Sequence, residues 1–284
     1  MYSEPDPATA QRMRKAHANA ARTFRARVLG EGESWGWRGR TLSRRVTTED
    51  GERWLRLVSA PADKAGGKLW EGPTEAELAM PASVPRPRLR ASSAWTDDKD
   101  AYLAELYDVV ADTTITTDSP VLRSAPRLSG EWWVGLMIAL GAVRDVHTAR
   151  VALRQEYLER AMPEYLGFMP GQDGVVWAAA HGDLHWANLT APGLHILDWE
   201  GWGMAPAGYD AAMLHTYSLL VPDVAADVRH HLSDQLDTPS GRFAELAVIT
   251  QLLQTNRRGD NLDLAEPLRA RLAILREAED VALG

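Results

Sequence analysis

The period of the apolar positions changes along the chain. Asp6 followed by Pro7 opens a helix, and Met13, Ala16, Ala20, Phe24 and Val28 recur at helical spacing up to Gly30. From Ser34 the apolar positions become short and alternating. Residues 35–40, residues 42–46, a turn at Glu49-Asp50-Gly51 and residues 54–58 together predict a small antiparallel sheet. Residues 64–72 read as a loop, and residues 73–80 as a helix that Pro81, Pro85 and Pro87 stop. Residues 102–110 alternate as one more strand. Residues 111–126 are rich in Thr, Asp, Ser and Pro and read as a hinge. Helical spacing dominates beyond it, over residues 131–148, 152–161, 243–253 and 267–281. The expected architecture is α+β in two lobes: residues 1–111 built on a small antiparallel sheet, and residues 112–284 mainly helical.

Composition narrows the classes of function. A chain of 284 residues with 45% apolar content can bury a substantial core. The net charge of -8 argues against a dedicated nucleic-acid binder, whose surface would be basic. The charge is also uneven: residues 1–100 carry 18 basic and 14 acidic side chains, whereas residues 101–284 carry 13 and 25. With no cysteine, disulfides, thiolate metal sites and cysteine nucleophiles are all excluded. The longest uncharged apolar run, residues 132–143, is bracketed by Glu131 and Arg144 and is too short to span a bilayer. Polar residues stand where a secretory peptide would place its apolar core, so a cytoplasmic protein without a membrane partner is expected.

One stretch interrupts the helices. His181-Gly182-Asp183-Leu184-His185-Trp186-Ala187-Asn188 is followed by the turn Ala191-Pro192-Gly193 and then by Leu197-Asp198-Trp199-Glu200. Two short strands joined by that turn would bring Asp183, Asn188 and Asp198 together. Their oxygens are hard ligands suited to Mg²⁺, which takes few protein carboxylates and completes its shell with water and substrate phosphates. This stretch resembles the H-G-D-x-x-x-x-N and I-D-W-E motifs of the aminoglycoside phosphotransferase and choline kinase group, protein-kinase-like enzymes that act on small molecules. The resemblance implies a two-lobe kinase fold over nearly the whole chain. Asp183 would then orient the acceptor hydroxyl and accept its proton. Asn188 and Asp198 would hold Mg²⁺ on the phosphates of ATP, or of GTP, and His181 would be structural.

The same resemblance implies a glycine-containing hairpin over the nucleotide, where Gly36 and Gly39 stand, and a lysine on the following strand. That strand offers Arg56 instead, with Lys64 or Lys68 as substitutes from the next loop. Glu75, or else Glu77, is expected to pair with the cation that reaches the phosphates. The acidic second half suits a cationic acceptor such as an amino sugar, an aminoglycoside or a choline-like alcohol, with Glu200, Asp210, Asp260 and Asp263 as candidate amine ligands. Two rival readings exist. A kinase-like protein could bind its ligand without catalysis, or His181, Asp183 and His185 could share one face of a strand and hold zinc as a metallohydrolase.

Overall fold

The structure is a computed structural model describing residues 3–30, 32–117 and 119–283. By contacts it divides into two compact units, Met1–Ala79 with Arg86–Ala111 and Met80–Pro85 with Asp112–Gly284.

The first unit begins with α1 (Pro7–Thr23), whose N-cap Asp6 accepts from the backbone N–H groups of Ala8 and Thr9 at 3.1 Å each. The apolar spacing predicts this helix up to Gly30, but it stops at Thr23. Arg25 takes the left-handed conformation (φ 50°), Arg25 N–H donates to Arg22 O and Ala26 N–H to Ala21 O at 2.8 Å, closing a Schellman end without glycine. Val28 therefore lies in a strand. Strands β1 (Arg27–Val28), β2 (Ser34–Trp35), β3 (Thr41–Thr48) and β4 (Gly51–Pro61) follow. Residues 36–40, expected as strand, form the loop of the β2–β3 hairpin with a 3-10 turn at Trp37–Gly39.

After a 3-10 turn at Ala62–Lys64 comes α2 (Lys68–Ala79), which starts five residues before the expected Pro73 and ends before Pro81. Then β5 (Leu89–Asp97) and β6 (Asp100–Asp108) complete a six-stranded antiparallel sheet ordered β1-β3-β4-β6-β5, with β2 also paired to β3. The apolar pattern does not show β5, because its half-buried positions are Leu89, Ala91, Ser93 and Trp95, two of them too small to mark a period. One face of this sheet is covered by α1: Met13, Ala16 and Ala20 pack on Leu42, Val46, Leu55, Leu57 and Leu106. Burying each large aliphatic side chain there contributes about 2 kcal/mol. Alternation then turns Trp54, Arg56 and Val58 to the opposite face of β4.

The second unit contains β7 (Thr113–Thr114), α3 (Gly130–Arg144), α4 (Gln155–Leu166), β8 (Trp177–Ala180), β9 (Thr190–Ala191) and β10 (Gly203–Pro206). It ends with α5 (Tyr209–Tyr217), α6 (Pro222–His231), α7 (Ser233–Leu236), α8 (Pro239–Arg257) and α9 (Ala265–Leu283). The stretch expected to be a hinge is tied down within this unit: β7 pairs with β9, Ile115 N–H donates to Leu189 O and Leu122 N–H to Tyr217 O, both at 2.9 Å. Asp118, in that stretch, lies outside the described residues. Among the described residues no helix is long and apolar enough to cross a membrane.

Candidate active site

Strands β8 and β10 pair antiparallel with Ala180 opposite Gly203, so residues 181–202 are a loop that leaves and re-enters one two-stranded ribbon. Close backbone approach sets its two ends. Gly182 has φ 83°, and a Cβ there would lie 2.9 Å from Gly201 O; a Cβ on Gly203 would lie 2.8 Å from Arg150 O. Leu184, Trp186, Leu189 and Ile196 anchor the loop in the core. Trp186 and Trp202 are fully buried and so are core residues rather than a stacking platform, and Trp186 Nε1 donates to Ser218 Oγ at 3.0 Å.

Within the loop the polar groups form one connected set. His181 is buried, its Nε2 donates to Leu197 O at 2.8 Å and its Nδ1 accepts from Asp183 N–H at 3.3 Å, so both ring nitrogens serve the backbone. Its ring also meets Trp199 edge-on, with centroids 4.7 Å apart. Asn188 Nδ2 donates to Asp183 O at 2.9 Å, which turns the amide oxygen Oδ1 away from that bond. Asn188 O in turn accepts from Leu197 N–H at 2.8 Å, and Leu189 bridges to Ile196. The expected hairpin is thus a minimal one, yet it sets Asn188 against the segment that carries Asp198.

Asp198 is exposed and left-handed (φ 62°), a conformation that Asp tolerates better than most residues and that clusters at functional sites. The donor set of Asn188 and Asp198, one amide oxygen and one carboxylate, fits a hard divalent cation that keeps most of its shell for water and phosphate oxygens. The Asp183 side chain is half exposed, and His185 Nε2 lies 3.5 Å from its Oδ2. Desolvation pulls this carboxyl up, but the hydrogen bond from His185 and the interactions with His185 and His181 outweigh it, leaving Asp183 below the ordinary carboxylate range. It is therefore ionised at neutral pH and able to accept a hydrogen bond from a hydroxyl.

Asp210, expected as an amine ligand, has a different place. It is buried at the start of α5, where its Oδ2 accepts from His181 N–H at 2.7 Å and its Oδ1 from Gly182 N–H at 3.0 Å. Both oxygens are turned to the loop backbone, and burial raises this carboxyl. The correction has a simple cause: spacing along the sequence does not show that a residue 27 positions after Asp183 folds back beneath it. Arg150, by contrast, is a residue the sequence did not single out. Its Nε donates to Trp202 O at 3.1 Å and its Nη2 to Glu200 O at 3.3 Å, holding the end of the loop.

Glu200 is half-buried beside this anchor, whereas Asp260 is exposed on the turn after α8, outside the hydrogen bonds that connect residues 181–210. Asp263 is ion-paired with Arg123.

The residues expected to meet a nucleotide in the first unit are placed by sheet register. Arg56 on β4 stands opposite Glu105 on β6, with Nη1 2.8 Å from Glu105 Oε2. Glu75 is half-buried on α2, while Glu77 binds Arg88 Nε at 2.6 Å and Leu89 N–H at 3.1 Å. Lys64 and Lys68 are exposed. Gly36 and Gly39 do flank the β2–β3 loop, and each has a packing reason of its own: a Cβ would lie 1.9 Å from Thr41 Oγ1 and 2.6 Å from Pro5 respectively.

No family model matches the chain, and no curated protein matches it in sequence. Solved structures do. The aminoglycoside phosphotransferase APH(4)-Ia is 12% identical, with 93% of this chain and 98% of that one covered at a TM-score of 0.58. A thermostable mutant of it in ternary complex with ADP and hygromycin B is 12% identical, covering 92% and 98% at 0.58. A protein from Ralstonia eutropha JMP134 described as a putative aminoglycoside phosphotransferase is 15% identical, covering 94% and 98% at 0.54. At these identities the shared property is the fold, and this chain has the protein-kinase-like fold of these phosphotransferases across nearly its full length.

Proposed function

We propose that this protein is a small-molecule kinase that transfers the γ-phosphoryl group of ATP or GTP to a hydroxyl of a small, amine-bearing acceptor such as an aminoglycoside, an amino sugar or a choline-like alcohol. The observation that carries the reading is the loop of residues 181–202, in which one ionised, half-exposed aspartate and Asn188 share one hydrogen-bond set, and the bond from Leu197 N–H to Asn188 O ties in the segment that carries Asp198. Phosphoryl transfer asks for positioning and charge neutralisation rather than a covalent nucleophile, and this set supplies the former. Asp183 orients the acceptor hydroxyl and takes its proton. Asn188 and Asp198 would hold Mg²⁺, which when bound offsets the negative charge of the phosphates. His181 and Asp210 keep the loop in place, and Arg56 would contact the phosphates.

Support for nucleotide use comes from the shared fold, since the related APH(4)-Ia structure was solved with ADP and hygromycin B. The acidic balance of residues 101–284 supports a cationic acceptor, with Glu200 and Asp260 as the candidate amine ligands. A cytoplasmic enzyme that binds neither nucleic acid nor membrane completes the reading. The zinc alternative is disfavoured because both ring nitrogens of His181 are used within the loop, and no metal-competent group of three His, Cys, Asp or Glu occurs among the described residues. Binding without catalysis is the outcome the second experiment tests.

The first experiment is the thermal shift of the protein with Mg-ATP and with Mg-GTP, alongside Asp198→Ala. A nucleotide at a hundred times its dissociation constant stabilises by about 2.7 kcal/mol, and the variant should lose most of that shift. No shift for the wild type at millimolar nucleotide and Mg²⁺ would overturn the nucleotide site. The second is a phosphorylation screen over cationic, neutral and anionic alcohols. Products from neutral or anionic acceptors only would remove the cationic acceptor, and nucleotide binding with no product from any acceptor would favour the non-catalytic reading.

A further inference from the structure

Of the three residues that the zinc reading groups, His181 serves the loop backbone and Asp183 the acceptor, which leaves His185 without a task. Its place is well defined. Leu184 and Trp186 on either side are fully buried, His185 N–H donates to Asp183 O at 3.1 Å, and Asn188 N–H donates to His185 O at 2.9 Å. The ring lies edge-on to Tyr217 with centroids 5.7 Å apart, and the side chain is only 15% exposed. Backbone and ring are both restrained, and the nitrogen set beside the Asp183 carboxylate is Nε2.

Nε2 has two polar neighbours of opposite kind. Asp183 Oδ2 lies 3.5 Å away and, being ionised, can only accept, whereas Asn188 Nδ2 lies 3.4 Å away and can only donate. The other ring nitrogen, Nδ1, is buried and meets no hydrogen-bond partner among the described residues. These contacts assign the tautomer. A proton on Nδ1 would be a buried N–H without an acceptor, and Asp183 would lose its donor. A proton on Nε2 goes to the carboxylate and leaves only a lone pair at Nδ1, while Asn188 Nδ2 already has an acceptor in Asp183 O at 2.9 Å.

The Asp183 side chain is half exposed and turns about two single bonds, and each turn moves the oxygen that must meet the acceptor. A fixed donor on one oxygen removes that freedom before the acceptor arrives. We propose that His185 is the positioning residue of Asp183: its ring, restrained by the loop backbone and Tyr217, donates from Nε2 to Oδ2 and leaves Oδ1 for the acceptor hydroxyl. The inference rests on the kinase reading above and adds the group that orients its proton acceptor. His185 takes no proton itself; it acts through Asp183.

The test is steady-state transfer from Mg-ATP to hygromycin B, choline or glucosamine, whichever is turned over fastest, by wild type, His185→Leu, His185→Gln and His185→Asn. Leucine keeps bulk beside Tyr217 without a donor, so kcat should fall about ten- to a hundredfold, while the acceptor KM and the Mg-ATP dissociation constant stay within about twofold. Glutamine carries an amide N–H to roughly the place of Nε2 and should restore most of the lost kcat; asparagine, whose amide stops near the place of Nδ1, should not. In an Asp183→Ala background, His185→Leu should change residual transfer by less than about twofold, since no carboxylate is left to position. A merely structural role would move kcat, KM and Mg-ATP affinity together, and that result overturns the proposal, as do wild-type kcat in His185→Leu and additive losses in the double variant. If His185→Leu does not fold, the contrast between His185→Gln and His185→Asn decides, and equal kcat in those two overturns the proposal. A ring-nitrogen NMR spectrum should show the His185 proton on Nε2, and a ring protonated on Nδ1 alone overturns the proposal whether or not transfer is seen. A wild type that transfers to none of these acceptors overturns the kinase reading and this inference with it, a case that the wild-type assay shows by itself.

Discussion

The β8–β10 loop and the β4–β6 strand pair each hold charged side chains in a defined place, by different means. In the loop, most of the restraint comes from within 22 residues: His181 reaches Leu197, Asn188 reaches Asp183, and glycines at 182 and 203 permit the close approaches at its ends. In the sheet, Arg56 and Glu105 are 49 residues apart, and only antiparallel register makes them neighbours. A motif that carries its own scaffold is readable locally, while a pair made by strand register is not. The loop is nevertheless not self-sufficient. Asp210 on α5 accepts two of its backbone N–H groups, and α5 is itself fixed by His215, whose Nδ1 lies 2.8 Å from Glu245 on α8. Glu245 also binds Arg271 on α9 at 2.7 and 2.9 Å.

The sharpest test of the loop as the chemical centre is Asp183→Ala. Transfer should fall by roughly 10²–10⁴-fold in acceptor-dependent turnover, with Mg-nucleotide affinity retained by titration, because the lost carboxylate acts on the acceptor. Equal loss of affinity would mean that Asp183 belongs with Asn188 and Asp198 rather than with the hydroxyl.

Asp210→Ala asks whether the loop depends on the helix below it. The substitution leaves two buried N–H groups unsatisfied and should lower stability by about 4 kcal/mol, seen as a melting temperature about 10 °C lower, and transfer should fall as well. A variant of wild-type stability and activity would make the loop self-supporting after all.

Glu245→Gln probes the next layer out. Removing the charge that faces His215, Arg229 and Arg271 should cost about 3 kcal/mol. The pH dependence has a definite sign. Burial opposes ionisation, but hydrogen bonds from Arg271 and His215 depress the Glu245 carboxyl from 4.5 to about 2. Its contribution of roughly 3 kcal/mol is thus complete above pH 4.5 and is lost as the pH falls towards 2. Acid unfolding monitored by circular dichroism should show this component in the wild type and lack it in Glu245→Gln.

The smallest effect is expected at Asp260. An exposed carboxylate outside the loop network contributes screened attraction only, so Asp260→Asn should change the KM for a cationic acceptor by less than about threefold, and only at low ionic strength. A larger, salt-insensitive change would place Asp260 in direct contact with the amine.

Much of the loop was legible because its chemistry and its scaffold occupy one stretch of sequence. His181, Asp183, Asn188 and Asp198 stand at spacings that a single turn can bring together; hydrogen bonds join the first three, and a minimal hairpin sets Asn188 against the segment that carries Asp198. Four helices of the second half, α3, α4, α8 and α9, were legible from their period with boundaries shifted by a few residues, whereas the apolar pattern did not show α5, α6 and α7. Strand β5 was hidden because alanine and serine take two of the four positions on its inner face, and the early end of α1 because arginine took a place that glycine usually marks.

By itself the sequence determined the class of fold, the acidic second half and the loop with its oxygen donors, since each depends on residue type and on separations of at most about twenty positions. Tertiary structure alone decided that Asp210 braces the loop instead of meeting an amine, that Arg150 ties its far end, and that Glu105 stands against Arg56. The physical reason is common to all of these. A buried charge takes whichever partner the packing of distant elements brings within hydrogen-bond distance, and a linear pattern of apolar and polar positions carries no record of that distance.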